Sequence, residues 1–437
     1  MVADFEERIA ETRRELLGGN PQRAYSTLRS LMSDPALAQQ RDALVIALGA
    51  LAEIAAEIAD PQFATLIQLT AASPDDPEQL AALGYECLEQ QLREPAVCVL
   101  RRAFALAPTS AATLAELVTA LETEGRHAEA CRHLGEATAL VREHFELGYL
   151  LAFNTLMSGD VAGSVRYAAD LPDPDGEEQA AMHARVTAML ARAKAAAPIS
   201  TLGDRDLRGW HFVASGGLLL HLSPFGFGEG MNGRYGMTQD SVARCRQGLV
   251  RLHAVLDDWE QAPQRILLLP DRDSHVLGLA AAALYGVPAQ AFSDDTPGVI
   301  IAYDLSTLDR STPAAVARHH PEQILFAHAT CWTNPPPCVP DVTTYLYEMN
   351  VAPGRDLEAP EETEPAPFDA EDPTIELAVQ AILDAIVDDD PDEIPGDSVT
   401  DIVTFAETVK PLTAAAMSDG LRAPMWDGGP VPSNRFG

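Results

Sequence analysis

Positive charge is scarce in this chain of 437 residues. Thirty lysines and arginines stand against 65 aspartates and glutamates, which gives a formal net charge of −35, and only Lys194 and Lys410 are lysines. Proteins that bind nucleic acid or anionic membrane surfaces use basic patches to do so. The composition therefore argues against both kinds of partner. Binding of basic proteins, or solubility alone, would explain the acidity.

Long apolar runs and paired cysteines are also missing. No run is long enough to span a bilayer, and no basic segment precedes an apolar core at the start of the chain, so we expect a cytoplasmic protein. Cys331 and Cys338 lie near His328, but their spacing is wider than that of zinc ligands and no second pair is close. We therefore expect reduced, buried thiols and no metal site.

Residues 1–195 have the apolar periodicity of helices, and part of this stretch repeats every 34 residues. The clearest unit has small and large apolar residues at fixed offsets from Gly84. The members of this unit are Leu83, Gly84, Ala96, Leu100, Ala103 and Pro108. Steps of 34 residues lead to equivalent positions, which are Leu117, Ala130, Leu134, Ala137, Ser164, Ala168 and Leu171. A small residue is needed where two helices of a pair cross, and stacked neighbours complete the core.

This pattern resembles the tetratricopeptide repeat over about residues 40–195. The resemblance implies an α-solenoid of stacked helix pairs whose concave face binds a protein or peptide. The register of residues 1–64 is not fixed by the pattern. A generic α-solenoid or a helical bundle is the alternative interpretation.

Residues 203–350 alternate short apolar runs with helical patterns, which predicts a small, mostly parallel α/β sheet. We expect strands at 265–269, 288–292, 298–305, 323–329 and 343–347. We expect helices at 239–259, 274–285 and 312–319. Residues 210–222 look like two further strands that turn at Ser215 to Gly217.

Ligands of such sheets bind at the carboxyl ends of the strands, which directs attention to the loops after Leu269 and Leu305. The second loop begins at Asp304 and is rich in hydroxyl groups, which can bind a phosphate at a helix N-terminus. Residues 299–312 resemble the diphosphate-sugar-binding signature of type I phosphoribosyltransferases, and the order of elements over about 240–330 resembles that family. Two positions depart from the signature: Tyr303 replaces its first acidic residue and Asp309 replaces a glycine.

The resemblance implies roles for several residues. Asp304 would hold the ribose hydroxyls, Arg272 would lie near a leaving pyrophosphate, and Mg²⁺ would accompany a phosphorylated sugar. The residues implied around the phosphate are Ser306, Thr307, Arg310, Ser311 and Thr312. The glycine-rich stretch before the first long helix is typical of a flap, in which Asn232 and Arg234 are the polar groups able to touch a ligand. The alternative is that Asp304 only ends a strand and that Ser311 or Thr312 caps the next helix.

The last quarter of the chain is acidic and rich in proline. Residues 351–373 have too little apolar surface to offset their chain entropy, so we expect a disordered linker. Residues 374–420 contain two amphipathic helical patterns that need a partner surface. We expect residues 421–437 to form a flexible tail, with Trp426 and Phe436 as possible anchors.

These features favour a protein-binding adaptor with a tetratricopeptide-like solenoid, an α/β domain that does not catalyse a reaction, and no cofactor. The competing hypotheses are a transferase of the phosphoribosyl type, acting on a phosphorylated sugar or nucleotide, and a sensor that keeps ligand binding without turnover. Neither the partner, the substrate nor the oligomeric state follows from the sequence.

Overall fold

The structure is a computed structural model that describes residues 2–58, 61–308, 312–355, 368–387, 396–416, 420–425 and 429–434. The chain divides into two compact units, Met1–Val186 and Thr187–Gly437. Among the described residues, no helix is both long enough and apolar enough to cross a membrane.

The first unit is built from helices. They are α1 (Val2–Leu17), α2 (Pro21–Met32), α3 (Arg41–Ile58), α4 (Pro61–Ala72), α5 (Pro77–Glu89), α6 (Arg93–Leu106), α7 (Ala111–Thr123), α8 (His127–Glu136), α9 (Thr138–Glu143), α10 (Phe145–Met157) and α11 (Val161–Ala169). The next helix, α12 (Glu177–Ala196), contains the boundary between the units.

The predicted 34-residue repeat is confirmed by where these helices begin. The first helices of three successive pairs, α5, α7 and α10, begin at Pro77, Ala111 and Phe145, each 34 residues after the one before. The second helices, α6, α8 and α11, begin at 93, 127 and 161, again 34 residues apart. The first unit therefore contains three helical repeats in one register.

Small residues allow the two helices of a pair to approach closely. A Cβ atom built on Gly84 in α5 would overlap the side chain of Leu100 in α6, and both residues are buried. In the third pair, Ser164 of α11 is buried and its hydroxyl donates to the carbonyl oxygen of Ala152 in α10, at 2.7 Å. These are positions at which the sequence pattern requires a small residue.

The helices before the repeats do not simply extend the stack. Helix α2 and the 3₁₀ turn Leu37–Gln39 pack against α6. As a result, residues Ala96 to Leu100 of α6 are fully buried on all sides. In an open solenoid one face of α6 would be exposed to solvent. Here the amino-terminal helices cover that face.

The second unit is an α/β structure. Its helices are α13 (Leu207–Ser215), α14 (Val242–Asp258), α15 (Arg272–Tyr285), α16 (Thr312–Val316), α17 (Thr374–Asp384) and α18 (Val399–Val409). Its strands are β1 (Leu218–Leu219), β2 (Tyr235–Gln239), β3 (Ile266–Leu268), β4 (Ala289–Ala291), β5 (Gly298–Asp304), β6 (Arg318–His319), β7 (Gln323–Cys331), β8 (Val342–Val351) and β9 (Gly420–Leu421).

Within the described residues, the main sheet has seven strands, and all of its pairings are parallel. Its path is β1-β8-β7-β5-β3-β4, and β2 also pairs with β8 beyond β1. If β3, β4, β5, β7 and β8 are numbered 1 to 5, their order in space is 2-1-3-4-5, the order of one common doubly wound α/β sheet. The predicted parallel sheet is thereby confirmed.

The two faces of this sheet are covered differently. On one face, α14, α15, α17 and α18 form the larger apolar core with Ile301 and Phe326 of the sheet. On the other face, a smaller cluster around Ile300 and Leu325 includes Val316 and Cys338. Helices α17 and α18 are the predicted amphipathic helices, and the surface they need is the helical layer formed by α14 and α15.

Two sequence predictions in this unit were wrong. Residues 207–215 form helix α13 rather than a strand, because Asp206 caps it by accepting from the Gly209 N–H and Gly216 ends it in a left-handed conformation. All residues of α13 are buried, so the helix lacks the polar face that distinguishes it from a buried strand. The helix predicted over 312–319 ends at Val316, after which Arg318–His319 pairs with β9 as an antiparallel strand.

The tail also differs from the expectation of a flexible end. Arg422 is buried: its guanidinium binds both carboxylate oxygens of Asp341 at 3.0 and 2.7 Å, and also donates to the carbonyl oxygens of Val316 and Arg318. Val431 is buried as well. Most of the linker predicted over 351–373, and both Trp426 and Phe436, lie outside the described residues, so those expectations stay predictions.

Candidate functional site

The carboxyl edge of the parallel sheet is where the sequence predicts a ligand site. The strand order reverses between β3 and β5, so the loops that follow these two strands flank the crevice of a doubly wound sheet. The first loop carries Asp271, which caps α15 by accepting from the Ser274 N–H at 2.9 Å. The second begins at Asp304. The topology thus brings the two predicted loops to the same part of one edge.

Asp304 is buried, and groups of its own chain occupy both of its carboxylate oxygens. Oδ1 accepts from the backbone N–H and the hydroxyl of Ser306, at 2.8 and 2.7 Å, and Oδ2 accepts from the Tyr347 hydroxyl. Burial raises the pKa of this carboxyl above its usual value, although the hydrogen bonds from Tyr347 and Ser306 oppose the shift. Asp304 therefore caps the short 3₁₀ turn that follows β5.

The other residues implied around a phosphate do not form one cluster, and several of them hydrogen-bond to groups of the protein itself. Ser306 and Thr307 are exposed, and the Thr307 hydroxyl donates to the Asp304 carbonyl oxygen at 2.9 Å. Thr312 is buried at the start of α16. Arg310 and Ser311 lie outside the described residues. Arg272 is exposed and donates to the Thr374 hydroxyl at 3.2 Å.

Asn232 and Arg234 hold the tail of the chain. Both are buried, and their side chains donate to the carbonyl oxygen of Pro432 at 2.9 and 3.3 Å. The guanidinium of Arg234 lies 5.3 Å from the centre of the Trp332 ring. The flap predicted around these residues is therefore a docking loop for residues 429–434, which the sequence pattern does not reveal.

A second polar cluster lies between the first turn of α14 and the sheet. Asp240 precedes α14, and its Oδ2 atom lies 3.1 Å from His328 Nε2 on β7 and 2.9 Å from the hydroxyl oxygen of Tyr303 on β5. Burial alone would raise the pKa of Asp240, but the charge and hydrogen bond of His328, together with Arg244, lower it. The thiol of Cys245 donates to the same oxygen at 3.5 Å.

The residues of this cluster are not all neighbours in the sequence. Asp240 and Cys245 are close in sequence, but His328 comes 88 residues after Asp240, and only the sheet brings it there. The signal that was available is a histidine inside the apolar run of β7, next to a strand that ends in Tyr303 and Asp304. Asp240, Cys245 and His328 are the described residues whose donor atoms come close enough to hold a metal ion.

A third polar cluster surrounds Asp397, which belongs to the acidic stretch near the chain's end. Its carboxylate accepts from the guanidinium groups of Arg208 and Arg251, from His221 Nδ1 and from the Leu222 N–H. Its side chain is 1% exposed. The sequence pattern assigns no role to Asp397, because its partners Arg208, His221 and Arg251 precede it by 146 to 189 residues.

The first unit contains an acidic face that spans the repeats. Glu89 ends α5, Glu116 lies in the middle of α7 and Glu146 begins α10, which are the first helices of three successive pairs. Burial raises the pKa of Glu116, and the charges of Glu146 and Glu89 raise it further. The charges of Glu89 and Glu146 therefore both reach Glu116 from the neighbouring repeats. No ion pair to any of them occurs among the described residues.

A cavity of about 630 Å³ opens in the second unit between residues 199–206 and α18. Its lining includes Asp204, Arg205 and Asp401, and none of the residues predicted to bind a ligand. The cavity therefore adds no support to the sequence-predicted site.

Comparison with known proteins gives limited information. No family model matches the chain, and no curated protein matches it. Two solved structures are similar in part. The structure of MamA protein has 17% sequence identity, covering 39% of this chain and 91% of that chain, with a TM-score of 0.24. TTC0263, a thermophilic TPR protein in Thermus thermophilus, has 18% identity, covering 42% of this chain and 98% of that chain, with a TM-score of 0.25. With TM-scores this low, neither likeness establishes a function.

Proposed function

We propose that this protein is an adaptor whose tetratricopeptide-like repeats bind a basic segment of another protein, and whose α/β unit does not catalyse a reaction. One observation carries the proposal: Glu116, on the first helix of one repeat, is repelled by Glu89 and by Glu146 on the first helices of the two neighbouring repeats. Mutual repulsion of unpaired carboxylates costs free energy in the unbound protein. A ligand with arginine or lysine side chains relieves that repulsion on binding.

The geometry of the α/β unit supports the second part of the proposal. A phosphoribosyl site would need the Asp304 carboxylate free to accept from ribose hydroxyls, whereas its oxygens accept from Ser306 and Tyr347. Asn232 and Arg234 donate to Pro432 rather than facing an open crevice. These groups stabilise the fold of the unit itself.

Binding of an arginine-rich peptide to the full-length chain tests the adaptor function. We expect anisotropy titrations to show an affinity that falls strongly between about 50 and about 300 mM salt, because exposed charges are screened over about 10 Å at 0.1 M. The triple variant Glu89→Gln, Glu116→Gln and Glu146→Gln should weaken binding about tenfold, or about 1.4 kcal/mol.

A matched control removes the same number of charges elsewhere on the first unit. Glu7, Glu57 and Glu143 are exposed, and their replacement by glutamine changes the net charge equally. If this control weakens peptide binding as much as the triple variant does, binding follows net charge and the repeat face is not the site.

The sheet topology favours one alternative function, a sensor for a phosphorylated sugar with Mg²⁺. The crevice between the loops after β3 and β5 has Asp271, Asp273 and Asp304 along its edge, which would repel a phosphate unless a cation accompanied it. Calorimetry with phosphoribosyl diphosphate and Mg²⁺ tests this alternative. Micromolar binding that Asp304→Asn abolishes would establish the sensor, and no heat at millimolar ligand would exclude it.

A further inference from the structure

The cluster of Asp240, Cys245 and His328 has the composition of a transition-metal site. One carboxylate oxygen, one thiol sulfur and one imidazole nitrogen all lie within 4.8 Å of one another. The side chains of Asp240 and His328 are 0% exposed, and Cys245 is 2% exposed. The three residues come from different elements: the loop before α14, the first turn of α14, and β7.

The hydrogen bonding around Asp240 Oδ2 is overcrowded. His328 Nε2, the Tyr303 hydroxyl and the Cys245 thiol all point at this one oxygen. A carboxylate oxygen has about two lone pairs, so three donors exceed its capacity by one. A cation at the centre of the cluster removes the excess: the thiol proton is released to solvent, and the neutral imidazole carries its one ring proton on Nδ1, so that the sulfur and Nε2 are both free to bind the ion.

The two separations from Asp240 Oδ2 match those of ligands around one zinc ion. Bonds of about 2.0 Å to oxygen and nitrogen and about 2.3 Å to sulfur, at tetrahedral angles, place oxygen about 3.3 Å from nitrogen and about 3.5 Å from sulfur. The observed distances from Asp240 Oδ2 are 3.1 Å to His328 Nε2 and 3.5 Å to Cys245 Sγ. We propose that Asp240, Cys245 and His328 bind a single Zn²⁺ ion, with the Tyr303 hydroxyl next to the fourth position.

Neighbouring groups orient these side chains as in known zinc sites. His328 Nδ1 lies 3.2 Å from the Thr344 hydroxyl, which leaves Nε2 facing Asp240 and Cys245. The other oxygen of Asp240 accepts from the Ser241 N–H at 2.8 Å. Hydrogen bonds of this kind from the groups behind the ligands fix the tautomer and the ring orientation of a metal-binding histidine.

Charge also favours a divalent ion. Binding releases the thiol proton of Cys245, and the resulting thiolate and the Asp240 carboxylate together carry two negative charges. One Zn²⁺ ion neutralises both, which a buried site requires. The guanidinium of Arg244 also lies 3.6 Å from Asp240 Oδ1, but its side chain is 23% exposed, so solvent screens its charge. The site is fully enclosed, so the ion holds α14 against β5 and β7 rather than presenting an open coordination position to a substrate.

Metal content and cobalt spectroscopy of the full-length chain test the site. Protein purified without chelators should contain about one zinc per chain by elemental mass spectrometry. Metal-free protein titrated with Co²⁺ alone should develop a thiolate-to-cobalt absorption band and the visible bands of tetrahedral Co²⁺, saturating at about one equivalent.

Matched cysteine variants locate the ion. Cys245→Ala should lose the thiolate band and at least nine-tenths of the bound zinc. Cys338→Ala removes another buried thiol of the same unit, outside the cluster, and should keep both. If Cys245→Ala does not fold, the cobalt titration of the wild-type chain still shows whether a thiolate of this protein binds the metal. A wild-type chain without zinc and without a thiolate band, or equal loss in both variants, would overturn the proposal and leave a hydrogen-bonded cluster.

Discussion

His221 and Asp397 are 176 residues apart in the chain, yet His221 Nδ1 lies 2.9 Å from Asp397 Oδ2 in the interior of the second unit. His221 Nε2 in turn lies 2.8 Å from the Tyr235 hydroxyl on β2. Asp397 thereby ties the acidic carboxyl-terminal part of the chain to the edge of the sheet. The Asp397 carboxylate and the guanidinium groups of Arg208 and Arg251 are all buried, and each would lack an opposite charge without the others.

The first prediction concerns Asp397 itself. Replacement by asparagine leaves the buried guanidinium groups of Arg208 and Arg251 without their anion, so we expect a loss of about 3–5 kcal/mol in the free energy of unfolding of the second unit. All four tryptophans belong to this unit, so urea denaturation followed by tryptophan fluorescence reports on it. Glu407→Gln, an exposed change on α18, should alter the stability by less than about 0.5 kcal/mol.

The same carboxyl makes the stability depend on pH. Burial would raise the pKa of Asp397, but the hydrogen bond from His221 and the charges of Arg208 and Arg251 lower it below its usual value. A lowered pKa contributes stability that is present above the unfolded pKa of about 3.9 and is lost as the pH falls through the folded value. The wild-type stability should therefore fall more steeply below about pH 4 than that of Asp397→Asn. Parallel pH profiles would contradict this assignment.

The second prediction uses a pair of glycines in the first unit. A Cβ at Gly84 would overlap Leu100, so Gly84→Ala should destabilise the repeats by about 1–3 kcal/mol. A Cβ at Gly49 in α3 meets nothing within 4 Å, so Gly49→Ala should stabilise its helix by about 0.5–1 kcal/mol. The free energy of unfolding can be measured by denaturation followed by circular dichroism, which detects these helices. A decrease for Gly84→Ala together with an increase for Gly49→Ala would confirm the close packing of α5 and α6. Destabilisation of equal size would contradict it.

The third prediction concerns Glu122 in α7. Burial raises its pKa to about 7, against the hydrogen bond that Asn154 donates at 2.6 Å. A raised pKa contributes stability that is complete below the unfolded value of about 4.3 and is lost as the pH rises through the folded value. Stability of the first unit should therefore decline between about pH 4 and pH 7.

Replacement of Glu122 isolates this effect. A glutamine side chain cannot ionise, so Glu122→Gln should be more stable than the wild type by about 2–4 kcal/mol at pH 8 and nearly equal to it at pH 4. The measurement is circular-dichroism denaturation at both pH values, with the exposed Glu143→Gln as the control. An equal difference at both pH values would show that ionisation of Glu122 is not the cause.

The fourth prediction concerns the tail. Arg422→Met leaves the Asp341 carboxylate buried without its bidentate partner, and should cost the second unit about 3–5 kcal/mol. Asp341 also accepts from the Leu325 N–H at 2.7 Å. The double variant Arg422→Met and Asp341→Asn keeps an oxygen for that bond and removes the unpaired charge. It should recover part of the loss in tryptophan-detected denaturation, whereas additive losses would show that the two residues do not interact.

The sequence by itself determined the features that depend on local periodicity. The 34-residue period predicts equal spacing for α5, α7 and α10 and for α6, α8 and α11, because each helix pair repeats the same apolar offsets and the same small residues, as at Gly84 and Ser164. The buried runs of β5 and β7 likewise identify a parallel sheet, since strands covered on both faces are apolar throughout. Helix α13 was missed because burial on every side erases the polar face that a helix pattern needs.

Only the tertiary structure decided the roles of the polar residues. Asp304 has the sequence context of a ligand-binding residue, but its oxygens accept from Ser306, where it caps the next turn, and from Tyr347 on β8. Asp397 lies in an acidic part of the chain, but it pairs with Arg208 and Arg251 in the interior. A charged side chain takes its chemistry from neighbours distant in sequence, through charge, hydrogen bonds and exclusion of water. Local spacing does not encode those neighbours; the sheet brings them together.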